Sequence, residues 1–172
     1  MLKYGSDKPD LRNPLEIKDV TNIFEKIDIK VFNGKIVRTI TLPDGASVER
    51  SFYDGMTEFA IEECKAKGLA WMRIGANREV TSPIAKFFTE EEMTAILDRM
   101  NAKEGDLLLF VADKDSVVFD ALGQVRLEVA RRLDLLNNNE YKMLWVTEFP
   151  LFEEDEETGR FIAKHHPFTS PI

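Results

Sequence analysis

The sequence predicts an α+β fold: one two-layer domain whose elements run strand, strand, helix, strand, extra helix, strand, helix, with the helices on one face of the sheet. Three observations carry this. Asn33-Gly34 sits between two short apolar runs, the strongest local signal for a β-hairpin. Three later segments repeat apolar residues at helical spacing. Between the last two of them, Leu107 to Ala112 is apolar without a break, as expected of a strand covered on most sides.

Taken in order, Leu15 to Val20 opens with an apolar alternation, and Asp28 to Phe32 forms the first arm of the hairpin. Ile36, Ile40 and Leu42 alternate with Val37, Thr39 and Thr41 along its second arm, and Pro43-Asp44-Gly45 ends it. Phe52, Met56, Phe59 and Ala60 mark a helix, with Gly68 placed as its C-terminal cap. Leu69 to Ile74 is a strand, and a loop follows from Gly75 to Phe88. Thr89 with Glu92 three residues on is a capping box, which starts the extra helix bearing Met93, Ile96, Leu97 and Met100. After the central strand, Asp113 or Asp115 caps a helix with Val118, Leu122, Val125, Val129 and Leu133 on one side, ended by Asn137-Asn138-Asn139.

Bulk properties narrow the classes. With 172 residues, 44% apolar and 31% charged, the chain has room for one ordinary domain. No apolar run approaches the roughly 20 residues that span a bilayer. Met1 to Asp10 show no secretory pattern, so a cytoplasmic setting is expected and a membrane partner is not. A net charge of −8 argues against a general polyanion-gripping surface, so any nucleic-acid contact must be local. The single cysteine, Cys64, allows neither an internal disulfide nor a cysteine zinc site.

Near the two ends lie Tyr4-Gly5-Ser6-Asp7-Lys8-Pro9-Asp10-Leu11-Arg12 and His165-His166-Pro167-Phe168-Thr169, with Trp145, Phe149, Pro150 and Phe152 forming a W-x-x-x-F-P-x-F run between. In this order they resemble segments of the bacterial aspartyl-tRNA synthetase family. The resemblance covers essentially the whole chain. It implies a catalytic-domain stub at residues 1–13, a GAD insertion domain (DCoH-like, β-β-α-β-β-α, two layers) at 14–142, and returning catalytic strands at 143–172. Ser82-Pro83-Ile84-Ala85-Lys86-Phe87 and Ala121-Leu122-Gly123-Gln124-Val125-Arg126 are similar to internal signatures of that domain.

The resemblance also implies an L-aspartate contact for His165, with His166 the weaker candidate, because successive strand residues face opposite ways unless Pro167 breaks the pleat. Arg126, Arg131 and Arg132 are the candidate tRNA contacts, against a reading in which arginines on this helix bond a neighbouring Glu. Asp7, Lys8 and Asp10 make a polar cluster, but Lys8-Pro9 is accounted for by backbone restriction at a domain exit. The acids Glu153 to Glu157 lack the spacing of a calcium loop and read as a solvated hairpin tip ending at Thr158-Gly159. Phe52, Phe59, Phe87 and Phe88 are expected in the core rather than stacked on bases. Cys64 has no partner for thiol catalysis, and no metal site and no catalytic residue is assigned.

Neither F-R-D-E nor G-x-G-x-x-R occurs, although class II synthetases hold ATP with arginines of such motifs. The expected function is therefore that of one segment of an aspartate–tRNA ligase, itself inactive in adenylation and binding no cofactor. ATP and Mg²⁺ belong to the whole enzyme, as do its implied homodimer and its tRNA(Asp) substrate, with tRNA(Asn) left open. The alternative is a non-catalytic tRNA-binding module of a tRNA-dependent amidotransferase. A small metal-dependent hydrolase built on His165, His166 and the acidic run has no spacing support.

Overall fold

The computed structural model describes residues 3–25, 27, 32–147, 150–155 and 158–163, and the chain divides into two compact units, Met1–Lys142 and Met143–Ile172. The first unit is built on a five-stranded, wholly antiparallel sheet. Its strands are β1 (Ile17–Asp19), β2 (Ile36–Leu42), β3 (Ala70–Ile74), β4 (Val80–Thr81) and β5 (Leu107–Asp113), in the spatial order β1-β2-β5-β3-β4. The unbroken apolar run does take the middle position. β5 pairs with β2 over seven residues, Ile36↔Asp113 to Leu42↔Leu107, and with β3 on its other edge.

Four helices cover this sheet: α1 (Thr21–Phe24), α2 (Arg50–Glu62), α3 (Glu90–Met100) and α4 (Asp115–Arg132). Alternation along β5 decides where they go. Leu107, Leu109 and Val111 face one side, where Tyr53, Met56 and Ala60 of α2 and Val118, Leu122, Val125 and Val129 of α4 bury them. Leu108 and Phe110 face the other, together with Val37, Met72 and Ile74, and there they meet Ile96, Leu97 and Met100 of α3 and Phe24 of α1. The expectation of helices on one face is corrected here. A strand apolar at every position cannot leave either face in water, and the extra helix closes the second one.

Local signals explain most of the boundaries. Thr89 and Glu92 form the predicted capping box: Glu92 N–H donates to Thr89 Oγ1 (3.2 Å) and Thr89 N–H to Glu92 Oε2 (2.9 Å). Asn101 ends α3 in the left-handed conformation, φ 53°. Asn33-Gly34 makes the expected turn, closed by Lys35 N–H to Phe32 O (3.1 Å). The predicted first arm falls mainly on residues 28–31, outside the described residues, and β2 lies between β1 and β5 instead. Gly68 does not cap α2. The helix stops at Glu62, Lys65 takes the left-handed turn at φ 57°, and Ala66 N–H closes onto Ala60 O. Neither Asp113 nor Asp115 caps α4 through its side chain. Lys114 holds the cap position and Asp115 opens the first turn.

In the second unit, β6 (Phe152–Glu154) and β7 (Phe161–Ala163) form an antiparallel hairpin. Asp155 organises its tip: Thr158 N–H (2.7 Å) and Oγ1 (2.9 Å) donate to Asp155 Oδ1, and Gly159 N–H to Asp155 O (2.8 Å). Of the acidic run, Glu153 and Glu154 lie in β6 and Asp155 at the turn, and Glu156 and Glu157 lie outside the described residues. Large apolar groups of this unit face solvent, among them Trp145 (94% exposed), Phe161 and Leu151.

Candidate functional site

The polar construction with the most long-range bonds in the first unit joins residues 3–16 to α4. At its centre Arg126 is 1% exposed. Its Nε donates to Leu15 O, and its Nη2 donates to Asp10 O and Asn13 O, both at 2.9 Å. The guanidinium lies 5.0 Å from the Tyr4 ring centroid. In return Asn13 Nδ2 donates to Arg126 O (3.0 Å), and Asn13 Oδ1 accepts from Leu15 N–H (3.1 Å). One arginine therefore satisfies three main-chain carbonyls of a segment without regular structure, a task its rigid donor fork suits. Burial pulls the Arg126 pKa down, while Tyr4, Asp10 and Glu16 oppose that shift.

One helical turn earlier, Gly123 lets the same segment come close. Gly5 has φ +65°, and a Cβ on it would stand 2.4 Å from Phe119 O and 2.7 Å from Gly123 Cα. A Cβ on Gly123 would stand 2.8 Å from Gly5 O. Glycine is required on both sides of this backbone contact. Beyond it Ile17 N–H donates to Lys3 O (2.7 Å), which ties the segment to β1.

The segment is also braced internally. Arg12 donates to Asp10 through its main-chain N–H (2.9 Å), Nε (3.0 Å) and Nη2 (2.7 Å). These bonds hold the Asp10 carboxyl at about 2 and raise the pKa of Arg12. Lys8 N–H donates to Ser6 Oγ (3.0 Å), setting the turn before Pro9. Between Ser6 and Lys8 on one side and Asp120 and Gln124 on the other lies a cavity of about 210 Å³.

Of the residues predicted to act, Arg126 is reassigned: a buried guanidinium committed to three carbonyls cannot serve as a surface phosphate contact. The one trace of this in the sequence is Gly123, a turn before Arg126 on α4, which places a small residue on the same face. Arg131 and Arg132 both bond Glu128, Arg131 through Nε (2.8 Å) and Nη2 (2.7 Å) and Arg132 through Nε (2.7 Å). This is the arginine–glutamate pairing weighed from the sequence. A phosphate reaching them must compete with Glu128. His165 and His166 lie outside the described residues.

Other candidates fall in the core. Phe52 and Phe59 pack against the α2/α4 side and Phe88 against the α3 side, while Phe87 is half exposed beside Lys86. Burial pushes the Cys64 thiol up to about 11, which keeps it protonated at neutral pH. Among the described residues no group of three His, Cys, Asp or Glu side chains converges as a metal site, and no helix is long and apolar enough to cross a membrane.

The two arginines hold the Glu128 carboxyl at about 2, well below its ordinary 4.5. A carboxylate whose folded pKa is depressed contributes stability above the unfolded value, and that contribution is lost as pH falls through the folded one. Wild type is therefore expected to exceed Glu128→Gln by about 1–2 kcal/mol at neutral pH, the Arg131 side being open to solvent and screened. Urea titrations should show the gap closing from about pH 4.5 towards pH 2. A gap independent of pH would remove the ion-pair explanation.

Residues 27–122 match the GAD domain family. The chain belongs to that family. Around the GAD domain the likeness extends over the remaining sequence. The chain is 50% identical, over its whole length, to an aspartate–tRNA ligase of Ruminiclostridium cellulolyticum, and 51% identical over 99% of its length to that of Clostridium botulinum strain Hall. It spans 30% and 29% of those proteins. The GAD match stops at residue 122, one residue before Gly123, so both helical members of the contact with residues 3–16 lie beyond it.

Proposed function

We propose that this chain is a segment of an aspartate–tRNA ligase, in which a GAD insertion domain leaves and re-enters the catalytic domain. The observation that carries the reading is the extent of the likeness: it includes both end segments, 1–13 and 143–172, as well as the domain between them. A tRNA-dependent amidotransferase module is disfavoured, because that reading expects the domain without the His165-His166-Pro167-Phe168-Thr169 return. Within the fold, β1-β2-α2-β3-β5-α4 is read as the β-β-α-β-β-α core and α3 as the inserted helix.

The whole enzyme joins L-aspartate to ATP, releasing pyrophosphate, and then transfers the aspartyl group to tRNA in the cytoplasm. Mg²⁺ there supplies charge neutralisation on the phosphates. No residue of this chain is assigned to that ion. The part proposed for this chain is structural: the GAD domain holds the irregular segment that enters it, and the second unit presents an open apolar hairpin to the rest of the enzyme. A two-stranded hairpin is marginal alone, which fits a piece completed by other strands.

His165 is proposed to contact the aspartate substrate, with His166 less suited. In the polypeptide that carries this segment, aspartate-dependent ATP–pyrophosphate exchange is expected, and the 172-residue chain alone should show none. His165→Ala should raise KM for aspartate at least about tenfold, the cost of one hydrogen bond to a charged group, and leave KM for ATP unchanged. Failure of the larger polypeptide to catalyse exchange would overturn the ligase reading. An unchanged KM for aspartate would remove the role of His165.

A further inference from the structure

We propose that Asn33-Gly34 is a modification site: the asparagine of this turn deamidates without an enzyme, and the isoaspartyl product loosens the entry to β2.

Deamidation needs the main-chain nitrogen of the following residue to reach Cγ of the asparagine. Glycine obstructs that approach least, because no side chain stands beside its nitrogen. Asn33 is the only asparagine of the chain followed by glycine. Both residues are exposed, and a Cβ built on Gly34 would meet nothing within 4 Å, so no neighbour crowds the turn there. The bond that closes the turn, Lys35 N–H to Phe32 O at 3.1 Å, uses neither the Gly34 N–H nor the Asn33 side chain. Among the described residues nothing else bonds those two groups. Other asparagines lack one condition or another. Asn13 is buried, donates to Arg126 O and precedes a proline, which has no N–H to lose. After Asn22 and Asn101 the attacking nitrogen is already engaged, Ile23 N–H with Val20 O (3.0 Å) and Ala102 N–H with Leu97 O (2.9 Å). Asn139 N–H is taken by Asn137 Oδ1 (3.0 Å), and Asn77 precedes the bulkier Arg78.

The chemistry balances with water and hydroxide alone. Hydroxide removes the proton from the Gly34 nitrogen, which attacks Cγ of Asn33; a new C–N bond closes a cyclic imide, and the side-chain amide leaves as ammonia with a proton from water. Water then opens the imide at either of its carbonyl carbons. Cleavage at the side-chain carbonyl gives aspartate in the ordinary main chain, and cleavage at the main-chain carbonyl gives isoaspartate, whose link carries an extra main-chain carbon. That carbon falls inside the ring closed by Lys35 N–H and Phe32 O. Phe32 is 6% exposed and its ring centroid lies 4.8 Å from that of Phe24, so the residue before the site is held by the core. The added length therefore falls on Lys35 and the start of β2.

The test ages the 172-residue chain in neutral and in mildly alkaline buffer and maps its peptides by mass spectrometry, with electron-transfer fragmentation to tell isoaspartate from aspartate. Asn33 should convert ahead of every other asparagine, give isoaspartate, release ammonia mole for mole and speed up in proportion to hydroxide. Its rate should lie within about tenfold of that of the free peptide Phe32–Ile36, as for a turn that opens at little cost. Asn33→Gln, whose imide ring would be a carbon larger, should stay intact. Amide hydrogen exchange at Lys35 should quicken at least about tenfold in the isoaspartyl form and stay as in wild type in Asn33→Asp, which adds the charge without the extra carbon. Conversion of another asparagine first, a product that is aspartate alone, or a rate further below that of the peptide would overturn the assignment of the site. Unchanged Lys35 exchange in the isoaspartyl form would overturn the loosening of β2.

Discussion

Replacing Phe110 by alanine is expected to lower the stability of the first unit by about 3–5 kcal/mol. Phe110 is 1% exposed at the middle of the central strand, opposite Thr39 on β2 and Ala70 on β3. Its ring centroid is 5.7 Å from that of Phe24, which in turn lies 4.8 Å from Phe32 and 5.4 Å from Phe88. Truncation opens a cavity beside Phe24, the ring at the centre of this aromatic group, and neighbours held by the sheet on one side and α3 on the other can collapse only partly. Were the second face of the sheet open to water, the same change would cost less than about 0.5 kcal/mol. Domains of this size are stable by about 5–15 kcal/mol, so the variant should lose much of its margin. Urea unfolding followed by circular dichroism decides the matter. A shifted midpoint with an unchanged slope is expected, and a midpoint within error of wild type would contradict the closed second face.

That second face shows how far the sequence could be read. The strand, strand, helix, strand, helix, strand, helix order is present because periodicity and caps are local: Thr89 needs only Glu92, and α2 and α4 carry their apolar stripes within a few turns. What periodicity does not give is which side of a sheet a helix takes. The unbroken run Leu107 to Val111 already required cover on both sides, yet α3 became its cover only through contacts between distant segments. β4 and α1, at two and four residues, are too short to leave a periodic signal. Arg126 escaped for a different reason. An arginine's type predicts a surface, and only the carbonyls of residues 10, 13 and 15, brought in from the far end of the unit, make burial tolerable. By contrast Arg131 and Arg132 met the neighbouring glutamate that a helix places three and four residues away.

Gly5→Val is expected to detach residues 3–16 from α4 without unfolding the sheet. The residue sits at φ +65°, where a side chain costs about 1–2 kcal/mol and a β-branched one more. Its Cβ would also press on Phe119 O and Gly123 Cα, main-chain atoms of a helix that is buried on its other side and cannot retreat, adding about 1–3 kcal/mol. The three nearest atoms all belong to α4, and none belongs to β2, β5 or α2. The cheaper response is therefore to release the segment rather than to melt the domain. Release breaks the Ile17 N–H bond to Lys3 O and frees Arg12 from the ordered turn around Asp10. Trypsin should then cut after Arg12 much faster than in wild type, while amides of β2 and β5 keep their protection. Because Gly5→Val leaves the guanidinium of Arg126 intact, agreement between its cleavage pattern and that of Arg126→Met would trace both effects to one seated segment. Resistance at Arg12 equal to wild type would mean that the glycine contact is dispensable and that the arginine alone holds the chain in place.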